Sequence, residues 1–338
     1  MLVNRDKPRF DYLGSIEDPE EFVWAILPHA ARTFAPSILL LPEDAARAAA
    51  VGYLYARMLD SYEDLSTTHS AAREGLAGFA GRFSNEPPDP ASPAPTPPAP
   101  DARDRTHLLL IDRHQLVDAV FMQLDTPTRS RVVRLIEDMA SGMSKYSAIF
   151  ERQDGVLIDE QQVLDYCHHV IGLPALFVME LLLGDLSGEH AFDALEVSEL
   201  IQLANITRDI EKDLQRGVAY HPALKPHLGS DGQGDAAPDV ATARHDLLLL
   251  GSRRAASFRR LVDGVGLPRL SSARAAAVLM MLFTGRHYHD VAVKAGVHAS
   301  SRRDGVVMMV LASLTAAFAP RWADRILTRV ERDLLAMV

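Results

Sequence analysis

The chain has 338 residues, 48% hydrophobic and 24% charged, with 45 acidic against 35 basic side chains and a formal charge of −10. Such a composition builds a sizeable globular core, and the acidic balance works against nucleic-acid phosphates and anionic membrane surfaces, so no nucleic-acid partner is expected. A single cysteine, Cys167, excludes an intramolecular disulfide framework and a cysteine zinc site and suits a reducing, cytoplasmic setting.

Apolar residues recur at helical rather than alternating spacing, which predicts an all-α fold. The N-terminus, interrupted by Arg5, Asp6, Lys7 and Arg9, has no apolar stretch able to act as a signal peptide. Asp18 is positioned to cap a helix with Pro19 in its first turn. Glu43 and Asp44, after Pro42, favour the positive end of a helix expected to run to about Asp64. Residues 84–105 contain eight of the twenty prolines and are predicted to form a disordered, solvated insertion within one domain spanning residues 1–338. Thr126 with Pro127 marks the next helix start. Gly184 ends an apolar stretch, and Gly217 ends a helix expected from about Asp193. Residues 226–239, with Gly229, Gly232 and Gly234, read as a flexible loop or lid. The apolar stretch 306–319 stops at Pro320, short of the roughly 20 residues a membrane span needs, and is predicted to be a buried core helix. No transmembrane span is expected, and at most peripheral membrane contact.

Two acidic patches carry the chemistry. Asp60, Glu63 and Asp64 share a helical face, with Arg57 one turn earlier. About 145 residues later, Asn205, Asp209 and Asp213 recur at four-residue spacing, with Arg208 among them. Carboxylates crowded on one face repel unless a cation offsets them. Two such faces, expected to face each other, offer hard oxygen ligands that suit Mg²⁺, whose octahedron is completed by water and phosphate oxygens. The implied ligand is a diphosphate, with Arg57 and Arg208 placed for bidentate phosphate recognition. As plain salt-bridge partners, the same arginines would hold the carboxylates apart.

The segments Arg32-Thr-Phe, Leu41-Pro, Arg57-Met-Leu-Asp-Ser-Tyr-Glu-Asp, Gly142-Met, Tyr166-Cys-His-His-Val-Ile-Gly and Gln202-Leu-Ala-Asn-Ile-Thr-Arg-Asp, with Asp213, resemble the squalene and phytoene synthase family in order and spacing. The resemblance implies an all-α isoprenoid-synthase fold with a central cavity. It also implies head-to-head condensation of two prenyl diphosphates through a cyclopropyl intermediate. Asp60, Asp64, Asp209 and Asp213 match the family's magnesium-binding aspartates, and Asn205 its motif asparagine. Glu63 fits the squalene-type pattern, which favours two farnesyl diphosphates and a C30 product. Arg32, Arg57 and Arg208 match its diphosphate-binding arginines, Thr33 falls where a serine is frequent, and Tyr166 matches its catalytic tyrosine. Lys212 departs from the usual glutamate, Leu65 from an aspartate frequent in squalene synthases, and Pro174 lies just beyond Gly172.

The resemblance leaves open whether NADPH reduces the intermediate. Its alternatives are phytoene synthesis from geranylgeranyl diphosphate, terpene cyclisation and a non-catalytic assembly protein. The Leu, Met, Phe and Val side chains of residues 173–183 are candidates for the dry wall that protects a carbocation, and Pro174 is expected to kink that stretch. His168 and His169 read as helix-surface or core histidines rather than ligands.

Overall fold

The computed structural model describes residues 7–31, 34–91, 93–98, 100–184, 186, 188–264, 271–296 and 305–336. It is 79% helical, and among the described residues there is no strand, only an isolated bridge between Val156 and Ala219. The chain divides into two compact units, Met1–Ala148 with Glu180–Leu182, and Ile149–Met179 with Leu183–Val338.

The first unit holds α1 (Phe10–Ser15), α2 (Pro19–Ala30), α3 (Ala35–Ile38), α4 (Glu43–Leu65), α5 (His69–Gly81), α6 (Ala102–Asp112), α7 (His114–Phe121) and most of α8 (Thr126–Arg152). Asp18 caps α2 as expected, accepting a 2.7 Å hydrogen bond from the Glu21 amide. At α8 the cap is Asp125, not Thr126: its carboxylate accepts from the Thr128 amide at 2.7 Å, a shorter reach to the third amide than a threonine inside the helix would have. The unit is built around α4, whose small residues Ala46, Ala48, Ala49 and Ala50 are buried and let neighbouring helices approach closely. A β-carbon on Gly75 would overlap the Tyr62 ring, so the α4–α5 contact requires glycine there. Tyr55, Phe79, Phe83 and Phe121 pack edge-on beside a buried polar cluster. In that cluster Asp118 accepts from the Tyr55 hydroxyl at 2.7 Å and pairs with Arg82.

Among the described residues between Ser84 and Ala102 the proline-rich stretch has no helix, yet its first residues are held specifically. Arg82 donates through Nε to the Asp89 carbonyl at 2.6 Å, Asn85 bonds the Asp89 carboxylate, and the Ala91 amide donates to His114 Nε2. The stretch ends earlier than its composition predicts. Asp101 and Asp104 form a reciprocal capping box that starts α6 at Ala102.

The second unit holds α9 (Glu160–Cys167), a π-helical turn (His168–Gly172), α10 (Leu173–Leu183, apart from Glu180–Leu182), α11 (Glu189–Gln215), α12 (Ala237–Ser252), α13 (Ala255–Gly264), α14 (Ser271–Lys294), α15 (Val306–Phe318) and α16 (Pro320–Leu335). α11 is its central element, packed by α12, α13, α14 and the π turn. The Tyr288 hydroxyl donates to the Leu200 carbonyl at 2.9 Å and lies so close to Gly251 that no larger residue fits there. Within residues 226–239 the backbone is tethered, since the Gly229 amide donates to the Leu214 carbonyl at 2.7 Å. The 306–319 stretch is a helix, but it is not buried as predicted. Only Met309, Ser313, Ala316 and Ala317 face inward, because a helix that is apolar all round still presents only one side to its neighbours. The continuous helical stretch Glu160–Leu183 is long and apolar enough to cross a membrane by length and composition.

Candidate active site

The expected site residues fall on two acidic faces, one in each unit. Arg32 and Thr33 lie outside the described residues.

On α4, Arg57 and Asp60 sit one turn apart and pair at 3.1 Å, while Arg57 Nη2 donates to the Tyr53 hydroxyl at 3.0 Å. The Asp60 side chain is only 17% exposed, and its Oδ1 atom is buried with no hydrogen-bond partner. Arg57 Nε is left in the same state. Such orphaned polar atoms cost free energy and mark places where a missing partner belongs. Burial pushes the Asp60 carboxyl up to about 6; Arg57 opposes this, Asp64 adds to it, and Arg103 opposes it. For Arg57, burial acts downward but is outweighed by Tyr53, Asp60 and Asp64, which raise its pKa. Glu63 is half-buried and Asp64 exposed at the end of the same helix.

On α11, Ile206, Thr207, Ile210 and Leu214 form the buried stripe, leaving Asn205, Arg208, Asp209, Lys212 and Asp213 half-buried on the other side. Arg208 grips Asp209 through two hydrogen bonds of 2.8 and 2.6 Å, and Asn205 donates to Gln202 Oε1 at 3.2 Å. Arg208 is therefore positioned here first as a salt-bridge partner, with its side chain still 34% exposed.

Tyr166 lies at the end of α9, 6% exposed, in a trio with Phe150 and Tyr220. The Tyr220 hydroxyl donates to that of Tyr166 at 3.3 Å. Local backbone geometry makes this pairing possible. The Leu157 amide bonds the Ala219 carbonyl and the Ala219 amide bonds the Gly155 carbonyl, clamping the loop before α9 to the loop after α11. Gly155 has φ +88° and abuts the Gly217 carbonyl, so only glycine fits there. After Tyr166 the helix widens into the π turn, where the Leu173 amide donates to the His168 carbonyl five residues back. Pro174 has no amide to donate to Val170, which fits this register change. A β-carbon on Gly172 would lie 2.9 Å from His168 Nδ1 and 3.3 Å from Ser198 Oγ, so the turn rests tightly on α11. His169 faces Asp165 of its own helix at 3.8 Å. Along α10 only Phe177 is buried, so the helix's other apolar side chains are not consumed by core packing.

Four further residues belong to these faces and were not identified from sequence. Tyr220 is reached only through the loop clamp, although Tyr220-His-Pro222 follows the second acidic patch directly. Tyr53, one turn before Arg57, was legible as a helical neighbour. Arg103 acts on Asp60, and its position follows from the Asp101–Asp104 capping box inside the presumed insertion. His287, on α14, is pushed down to about 4 by burial and by Arg208, against Asp290 and Asp209, and so stays neutral beside the second face.

Among the described residues, no three His, Cys, Asp or Glu side chains converge into a ready-made metal cage. That donor set matches Mg²⁺ better than zinc, because Mg²⁺ takes one or two carboxylates and fills its octahedron with water and phosphate oxygens. The unpaired Asp60 Oδ1 is a fitting ligand atom.

The family model for squalene/phytoene synthase matches residues 27–303. By sequence alone the chain matches no curated protein. Among solved structures, it resembles the squalene synthase TcSQS with the ligand E5700 at TM-score 0.70 and 17% identity, over 95% of this chain and 98% of that one. A dehydrosqualene synthase with bound ligand gives TM-score 0.55 at 15% identity, over 93% of this chain and 99% of that one. With most of its length matched, the chain belongs to the squalene/phytoene synthase family. It is a prenyltransferase of the head-to-head condensing kind.

Proposed function

We propose that the enzyme joins two farnesyl diphosphates head to head, through presqualene diphosphate, to squalene or a related C30 product, with Mg²⁺ held by Asp60, Asp64, Asp209 and Asp213. The observation that carries this reading is the half-buried Asp60 carboxylate beside Arg57, with one oxygen lacking any partner in a family member. Bound Mg²⁺ supplies positive charge to the departing diphosphate. Arg57 and Arg208, with Arg32 and Thr33 by family resemblance, bind and orient diphosphate oxygens, and Asn205 and Glu63 complete the acidic faces. Arginine is suited to this role because its planar fork meets phosphate bidentately and stays charged when buried. Tyr166, its hydroxyl held by Tyr220, stabilises the allylic cation or handles its proton, and the apolar side chains of α10 exclude water that would quench the cation.

The preference for C15 over C20 substrate rests on the Asp-Ser-Tyr-Glu-Asp pattern at residues 60–64. The test is competition between equal concentrations of farnesyl and geranylgeranyl diphosphate, with and without NADPH, followed by product identification. Squalene with NADPH, or presqualene diphosphate without it, is expected. A predominantly C40 product would reassign the enzyme to phytoene-type chemistry, and no condensation with either substrate would remove the assignment.

A further inference from the structure

Among the described residues, twelve large apolar side chains are exposed, and six of them lie within residues 307–322. Val307, Leu311, Leu314 and Phe318 follow each other at spacings of four, three and four along α15, opposite the face that packs inward; Met308 flanks them. Phe318 is 84% exposed at the corner between α15 and α16, and Trp322, 43% exposed, continues the ridge onto α16. A contiguous ridge of this size, rather than scattered single residues, marks a surface that something covers.

The charge around it differs in sign from the rest of the molecule. Among the described residues of 291–338, five Lys or Arg stand against three Asp or Glu, in a chain of net charge −10. Arg325 lies one turn after Trp322, and Arg321, Arg325 and Lys294 are all exposed. Aromatic side chains at the edge of an apolar face, with basic residues at its rim, fit a lipid–water interface, where the apolar face enters the acyl boundary and the basic groups meet anionic headgroups. A second copy packed about a two-fold axis would instead set this basic rim against itself.

We propose that the α15 ridge and the start of α16 dock the enzyme on an anionic lipid surface, peripherally and without spanning it. The overall acidic charge remains compatible with this, because attraction acts locally within a Debye length of about 8–10 Å.

The test uses the full chain with Trp24→Phe, which leaves Trp322 as the reporter, and vesicles of phosphatidylcholine alone or mixed equally with phosphatidylglycerol. Binding to the mixed vesicles on flotation is expected, with blue-shifted Trp322 emission that brominated acyl chains quench. The double variant Leu311→Gln/Phe318→Gln should lower partitioning at least about tenfold with unchanged circular dichroism, and Arg321→Glu/Arg325→Glu should lower binding to mixed vesicles selectively. Absence of binding to either vesicle overturns the proposal, as does binding in which Trp322 stays unquenched. Loss of a dimer in the Gln variant on sedimentation, with flotation unchanged, would make the ridge a self-association face instead. Quenching in the Trp24→Phe protein decides the matter even if a ridge variant fails to fold. No readout uses a prenyl diphosphate, so the outcome is independent of the proposed reaction.

Discussion

Asp60 is held in a state the isolated fold disfavours. Its folded pKa of about 6 lies above the 3.8 of an ordinary aspartate, so the folded chain binds this proton more tightly than the unfolded chain does. The sign follows: this residue's contribution to stability is most favourable below about pH 4 and is lost as pH rises through 6. Asp60→Asn should therefore stabilise the metal-free protein near pH 7 by about 1–2 kcal/mol and raise its melting temperature accordingly. The gain should shrink toward zero near pH 4 in thermal scans, and a lower melting temperature at pH 7 would contradict the burial argument. Turnover should nonetheless fall by about a hundredfold or more. Cys167 illustrates the same physics without a function. Burial, with Glu199 adding and Arg254 opposing, pushes its thiol well above the usual range, so it stays protonated and shielded. A thiol reagent at neutral pH should label it only after denaturant unfolds the chain, and stoichiometric labelling of native protein would be the contrary result.

At the scale of elements, the proline-rich stretch is two pieces with different roles. Residues 93–98 have no helix, whereas residues 85–91 are bound to the domain through Arg82, Asp89 and His114. Deleting residues 93–98 should leave the melting temperature nearly unchanged, since loop closure depends weakly on length. Deleting residues 85–91 as well should lower it measurably. Replacing Arg82, which is 2% exposed, with Met should cost about 3–5 kcal/mol in denaturant unfolding, because it leaves Asp118 charged and buried without its cation. A cost below about 1 kcal/mol would show that solvent or Tyr55 satisfies Asp118. Pro174 was legible as a helix irregularity, but its form was not: the π turn widens the helix before the proline, where Gly172 lets it rest on α11.

For the whole molecule, the two acidic faces are proposed to serve one reaction. Asp209→Asn should then lower turnover by about a hundredfold or more, like Asp60→Asn, and the double variant should be no worse than either single one. Far-ultraviolet circular dichroism should stay helical in all three. Multiplicative losses in a steady-state assay would mean that the two faces act independently. The fold class, the α4 boundaries, the C-terminal end of α11 and the placing of the acidic residues on helical faces were legible in the sequence, because apolar periodicity, caps and charge spacing act within a few turns of the chain; the start of α11 lies a turn before the expected Asp193, at Glu189. Tertiary structure alone decided the rest. Tyr220 meets Tyr166 only because Gly155 and Ala219 close a clamp across more than sixty residues of chain. Arg103 and His287 act on carboxylates and an arginine of other helices, and α15 keeps an apolar face uncovered although its sequence reads as core. Burial and pairing across elements depend on which faces meet in three dimensions, and periodicity along one helix carries no information about its neighbour.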